Sequence, residues 1–114
     1  MNKDATVYLR HIVDAIERLN GYLEGVDRKG FLGNDLLQAA VIREMEIIGE
    51  ATKQVGEDFR NAHTDIPWKK MAGMRDKLIH DYLGVDIEAV WDTVVKDLPG
   101  LKKRLKGIFD EKIA

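Results

Sequence analysis

Apolar residues recur at spacings of three and four along almost the whole chain, and no stretch alternates apolar and polar residues as a half-buried strand does. The pattern predicts an all-α protein. Leu9, Ile12, Ile16, Leu19 and Leu23 make one stripe in a helix from about Asp4 to Glu24, and GVDRKGFLGN then supplies the glycines and polar residues of a loop. A second helix is expected from Asn34 or Asp35 as cap to near Arg60, about 37 Å long at 1.5 Å per residue, with Leu36, Leu37, Ala40, Ile47, Ile48, Ala51 and Val55 inward. HTDIPW opens a short third helix, with Pro67 in its first turn, Asp65 just outside as a candidate cap, an end near Tyr82 and Gly84 as the stop. Asp86 caps a fourth helix whose stripe is Ile87, Val90, Trp91, Val94, Leu98, Leu101, Leu105 and Ile108, with a kink or break expected at Pro99. Four amphipathic helices with short connections make an up-and-down four-helix bundle of one domain, residues 1–114.

Placing the charges on these helices singles out a few residues. At 100° per residue, Trp68, Met71, Leu78, Ile79 and Tyr82 share one face of the third helix, with Lys69, Gly73, Asp76 and Lys77 opposite. Arg75 falls in the middle of the apolar face, where a guanidinium cannot shed its charge and must find an anion, a partner subunit or a cleft. Glu44 is the one charge in the middle of the second helix's apolar face. The two point to an Arg75–Glu44 pair, within one chain or across a dimer, or else to a buried ion pair that only fixes register. His80, five positions after Arg75, lies 140° away on an ideal helix and approaches it only if the helix loosens before Gly84.

Composition narrows the chemistry. The chain has no cysteine, so disulfides, thiolate zinc, iron–sulfur clusters and cysteine nucleophiles are excluded, and a 114-residue fold must rest on packing. Net charge is −2, from 18 basic and 20 acidic residues, which argues against coating nucleic acid through the field of the whole molecule. LKKRLKGIF (101–109) reads either as a solvated helix face whose cations suit the C-terminal dipole or as a local basic site. No apolar run approaches the roughly 20 residues that cross a bilayer, so a soluble cytoplasmic protein is expected. His11 and His63 have no metal-like spacing, and the E-x-x-H pairs of di-iron bundles are missing, so no metal or cofactor is expected. Met45, Met71, Met74 and the two tryptophans read as core.

Arg75-Asp76-Lys77-Leu78-Ile79-His80-Asp81-Tyr82, an R-x4-H-x-Y segment with a polar residue straight after the arginine, resembles the signature of HEPN-domain ribonucleases. The fuller resemblance is to the HepT-like toxins: REMEIIGEA (43–51) is similar to their second-helix segment, IPWKKMAGMRDKLIHDYLGVD (66–86) to their core motif, and VWDTVVKDLPGL (90–101) to the helix that follows. The resemblance implies a HEPN-like bundle acting as a metal-independent endoribonuclease toxin, a homodimer whose two motifs face one cleft. It also implies a type VII-like toxin–antitoxin pair with a minimal nucleotidyltransferase that adenylylates Tyr82. The residue types suit RNA cleavage by 2′-hydroxyl attack, since histidine accepts or gives a proton near neutrality and arginine's planar fork matches phosphate oxygens. His80 is then the general acid/base and Arg75 the group that stabilises the phosphorane. Glu44 is a supporting acid. Asp76 either orients Arg75 or His80 or is a solvated helix-face aspartate. A second reading from another class is a catalytically silent nucleotide- or partner-binding bundle that docks to a nucleotidyltransferase, and a third is a purely structural helical dimer.

Overall fold

The computed structural model describes residues 5–73 and 86–113, and for residues 109–113 only the backbone. The described residues are helical with no strand, an all-α bundle as the apolar spacing predicts. α1 spans Ala5–Tyr22 and buries Leu9, Ile12, Val13, Ala15, Ile16 and Leu19. α3 spans Asp35–Gln54 and packs along α1, burying Val41, Met45 and Ile48 on the shared face. The two run antiparallel, because the end of α1 meets the middle of α3 at Glu44 while Tyr8 and His11 share a groove with Glu50 and Gln54.

The expected loop between them holds a short helix, α2 (Arg28–Leu32). Gly25 turns the chain at φ +73°, a left-handed conformation that a side chain would strain. Asp27 then caps α2 by accepting from the Gly30 N–H at 2.8 Å. The turn drives Phe31 into the core at zero exposure, tilted against Trp91 with ring centroids 5.3 Å apart. Gln38 ties this turn to α3 by donating to the carbonyls of Phe31 and Leu32. Asn34 caps α3 through the Leu37 N–H, as expected. Leu36, expected inward, is 82% exposed, because it lies five residues and so about 140° around the helix from buried Val41.

The expected second helix does not run unbroken to Arg60. Val55 is extended (φ −68°, ψ 126°), and Gly56 starts a separate helix, α4 (Glu57–Ala62), with Glu57 and Asp58 at its positive end. The bend buries Val55 to 1% exposure, which a straight continuation on the same stripe need not do. α5 spans Trp68–Ala72, the described part of the expected third helix. Its cap position is Pro67, without a side-chain cap; the Asp65 backbone carbonyl instead accepts from Arg104 at 2.8 Å. Trp68 and Met71 are buried and Lys69 exposed, as the helical count requires. The expected end near Tyr82, the stop at Gly84 and the expected core residues Met74, Leu78 and Ile79 lie outside the described residues.

Asp86 caps α6 (Ile87–Asp92) through the Ala89 N–H at 3.0 Å. A π-helical turn over Thr93–Asp97 follows, in which the Leu98 N–H reaches the Thr93 carbonyl, and α7 (Leu98–Ile113) continues the line. This is the form taken by the break expected at Pro99. The proline has no N–H to give, its ring crowds the carbonyl four residues back, and widening the preceding turn relieves both. Val90, Val94, Leu98, Leu101 and Leu105 still fall on the core side.

Phe31→Ala should lower unfolding stability by about 3–5 kcal/mol, the range for deleting a buried aromatic ring. Denaturant unfolding measures it, and a loss below about 1 kcal/mol would mean that Phe31 does not join α2 to the core in solution.

Candidate active site

Glu44 is the described member of the expected site, and its surroundings are specific. It is only 5% exposed. Its Oε1 accepts from Arg18 Nε at 2.9 Å and its Oε2 from the Tyr22 hydroxyl at 3.0 Å. Arg18 and Tyr22 lie four apart on α1, on the side that meets α3, and so reach one carboxylate together. A buried charge needs such partners, because desolvation without them is costly. Neither residue was singled out in the sequence as a partner of Glu44; the signal is their i, i+4 spacing on the helix that must pack against it. An Arg75–Glu44 contact lies outside the described residues, as do Arg75, Asp76, His80 and Tyr82 themselves.

The two ends of the 74–85 segment are nevertheless fixed. On its N-terminal side Trp68 is buried and donates its indole N–H to the His63 carbonyl at 2.8 Å, while Lys70 bridges to Asp97 at 2.9 Å. On its C-terminal side the Asp86 cap starts α6, which Trp91 and an Arg28–Glu88 ion pair hold against α2. The residues on either side of 74–85 are thus held in the bundle by local contacts.

The other two histidines behave as ordinary side chains. His11 is exposed and edge-on to Tyr8, with centroids 6.1 Å apart, and His63 is half-buried against Phe59 at 4.4 Å. Among the described residues no group of three or more His, Cys, Asp or Glu could hold a metal ion. No helix is long and apolar enough to cross a membrane among those residues.

The family model for "Ribonuclease HepT-like" proteins matches residues 12–108, a span that takes in Glu44 and the whole 75–82 segment. The chain belongs to the HepT-like ribonuclease family. It is 44% identical over 108 residues to the "Probable ribonuclease HepT" of Thermococcus cleftensis, covering 95% of this chain and 98% of that one. It is 42% identical over 104 residues to a "Putative RNase" of Caldanaerobacter subterraneus subsp. tengcongensis, covering 91% and 93%. It is also 44% identical over 111 residues to a Methanocaldococcus jannaschii protein named "Gamma-glutamylcyclotransferase and putative RNase", covering 97% of this chain and 50% of that one. No solved structure matches the chain.

In this HepT-like bundle the Glu44 cluster has a measurable signature. The Tyr22 phenol is held above tyrosine's ordinary value near 10, first by its hydrogen bond to Glu44, then by desolvation and by the Glu44 charge, with Arg18 pulling the other way. Because the folded state holds this proton more tightly than the unfolded chain, the bond's stabilisation is complete below pH 10 and is lost as the pH rises through the higher folded value. In an ultraviolet titration Tyr22 should ionise later than free tyrosine, and Tyr22→Phe should remove that late component. Arg18→Ala should cost roughly 1–3 kcal/mol, the range for leaving a buried polar group short of a partner. Absence of a late-titrating tyrosine from the wild-type protein would exclude the cluster in solution.

Proposed function

We propose that this chain is a metal-independent endoribonuclease toxin in which Arg75 and His80 are the reacting groups. The observation that carries the reading is family membership over residues 12–108 together with an R-x4-H-x-Y segment at 75–82 inside that span. Relatives named as ribonucleases support RNA as the substrate class.

The chemistry follows from the side chains. A ribose 2′-hydroxyl loses its proton to a base, attacks the adjacent phosphorus and expels the 5′-oxygen, which must take up a proton. His80 accepts or gives these protons, a contribution of about 10²–10⁴-fold. Arg75 places a permanent, planar pair of donors on the phosphorane oxygens as their charge develops. One imidazole cannot readily serve both ends of the reaction, and a two-fold homodimer with both motifs in one cleft supplies a second. Asp76 orients Arg75 or His80, and Glu44 supports the site from α3.

The regulatory half of the proposal is a minimal nucleotidyltransferase antitoxin. It transfers adenylate from ATP to the Tyr82 hydroxyl, with release of pyrophosphate, and the new phosphodiester anion beside Arg75 and His80 competes with RNA phosphate. Blocking then needs no change of conformation. The catalytically silent partner of a nucleotidyltransferase is the outcome if the purified chain cuts no RNA.

His80→Ala should abolish RNA cleavage and toxicity while leaving circular dichroism and the dimer's sedimentation unchanged. Arg75→Lys should not restore activity, because a point charge cannot replace the two-pronged guanidinium. Chelators should have no effect on the wild type. Full cleavage by either variant, or activity that requires an added divalent metal, would overturn the assignment.

Incubation with the cognate nucleotidyltransferase, ATP and magnesium should raise the mass of the chain by one or more adenylate units, located by fragmentation to Tyr82 and not to Tyr8 or Tyr22. Tyr82→Phe should resist silencing. Equal neutralisation of the Tyr82→Phe and wild-type proteins would show that the antitoxin acts by binding alone.

A further inference from the structure

Two adjoining grooves lie along α5. One, of about 660 Å³, is bounded by α4, the 64–67 turn and α5, and a second, of about 240 Å³, opens between α5 and the π turn with the start of α7. They share Pro67 and Lys70, so they form one continuous track. Among the described residues its cations are Arg60, Lys69, Lys70, Lys96 and Arg104, against the two carboxylates Glu57 and Asp97. A local excess of three positive charges therefore sits on a chain whose net charge is −2. The groove between α1 and α3 does not share this character, since Arg43 there faces Glu46 and Glu50.

Two of the cations are held in place around the track. Lys70 is bridged to Asp97 across it, and Arg104 gives one Nη to the Asp65 carbonyl, using one of the five donors a guanidinium carries. Arg60 adds a second kind of observation. Its Nε is buried and has no hydrogen-bond partner among the described residues, although buried donors are ordinarily paired. The residue also lines the groove, where its remaining guanidinium donors carry a permanent positive charge. The aromatic ring at the site is unsuited to stacking a base, because Trp68 is only 7% exposed and its indole N–H is taken by the His63 carbonyl. Position completes the case: Ala72 lines the groove, and the three peptide links between it and Arg75 span at most about 11 Å.

We propose that this track binds the phosphodiester backbone of single-stranded RNA flanking the cleaved linkage, with Arg60, Lys69, Lys96 and Arg104 on the phosphates. The proposal rests on the ribonuclease reading for its choice of ligand. With Trp68 buried and cations outnumbering the other polar side chains on the described wall, Asn61 and Thr64, binding is set chiefly by phosphates and varies little with sequence. The track explains how a protein of net negative charge holds a polyanion. Of the four cations in the basic run LKKRLKGIF, Arg104 lines it.

The test uses the full chain carrying His80→Ala, so that binding is read without cleavage. Fluorescence anisotropy with a labelled single-stranded RNA oligonucleotide is followed across a salt series. Adding Lys69→Gln and Lys96→Gln should weaken binding by about tenfold or more on every sequence tried. It should also flatten the slope of log affinity against log salt by roughly 1.4, about 0.7 for each phosphate left without its lysine. Lys29→Gln with Lys53→Gln, an equal charge change elsewhere, should leave both unchanged. In the chain with His80 intact, the Lys69→Gln, Lys96→Gln pair should raise KM for long RNA without lowering kcat, and should not affect a dinucleotide substrate. Unaltered RNA affinity in the Lys69→Gln, Lys96→Gln protein would overturn the track, whether or not the chain cuts RNA. So would loss of nucleotidyltransferase binding with RNA binding intact, which would make the groove a protein interface. If the His80-intact chain cuts no RNA but the track binds it as described, the catalytic reading fails and the track stands.

Discussion

Leu9, Ile12, Ile16 and Leu19 of α1 share one core with Val41, Met45 and Ile48 of α3, and all seven have zero exposure. With no cysteine to staple the chain, this seam is the constraint on which the other elements depend. Each side chain placed there removes apolar surface from water, worth about 1.5–3 kcal/mol apiece before entropy is counted, and the buried apolar residues among those described form one cluster. The antiparallel run of α1 and α3 also decides where polar groups can enter. Glu44 sits within the seam because Arg18 and Tyr22 arrive opposite it, and a one-turn slip would strand the carboxylate.

The remaining helices are arranged around that pair so as to hold the two ends of the 74–85 segment. α2 is a single capped turn, yet Phe31 makes it a wedge between α3 and Trp91. α4 and α5 are short because Val55 and Pro67 break the helical path, and the breaks fold residues 55–72 back against α3 and the start of α7. Trp68, before residues 74–85, and the Asp86 cap, after them, are each held by a hydrogen bond within the bundle.

Charge is distributed in the same spirit. The whole chain repels a polyanion weakly, while the face formed by α4, α5 and the start of α7 gathers cations. Local fields of this kind act within a Debye length of about 8–10 Å at ordinary salt, so a modest excess in the right place outweighs the net charge of the molecule.

The sequence by itself determined the all-α class, because a period of 3.6 is written in the apolar residues and nothing in the chain alternates. It also determined the cap at Asp86 and narrowed the other to Asn34 or Asp35, because cap hydrogen bonds are local, and it located the helical disturbance near Pro99, where a donor is missing whatever the surroundings. The family was legible from R-x4-H-x-Y and its flanking segments. Tertiary structure decided the rest. Arg18 and Tyr22 became partners of Glu44 only because α1 runs antiparallel to α3 in one register, and spacing along a single helix carries no information about the register between two. Val55 and Phe31 show the same limit, since both trade a straight helix or an open loop for burial, and the gain depends on neighbours far away in the sequence. The cationic track joins residues 57–72 to residues 96–104 across the bundle; in the linear chain these are scattered charges, and packing alone makes them one surface.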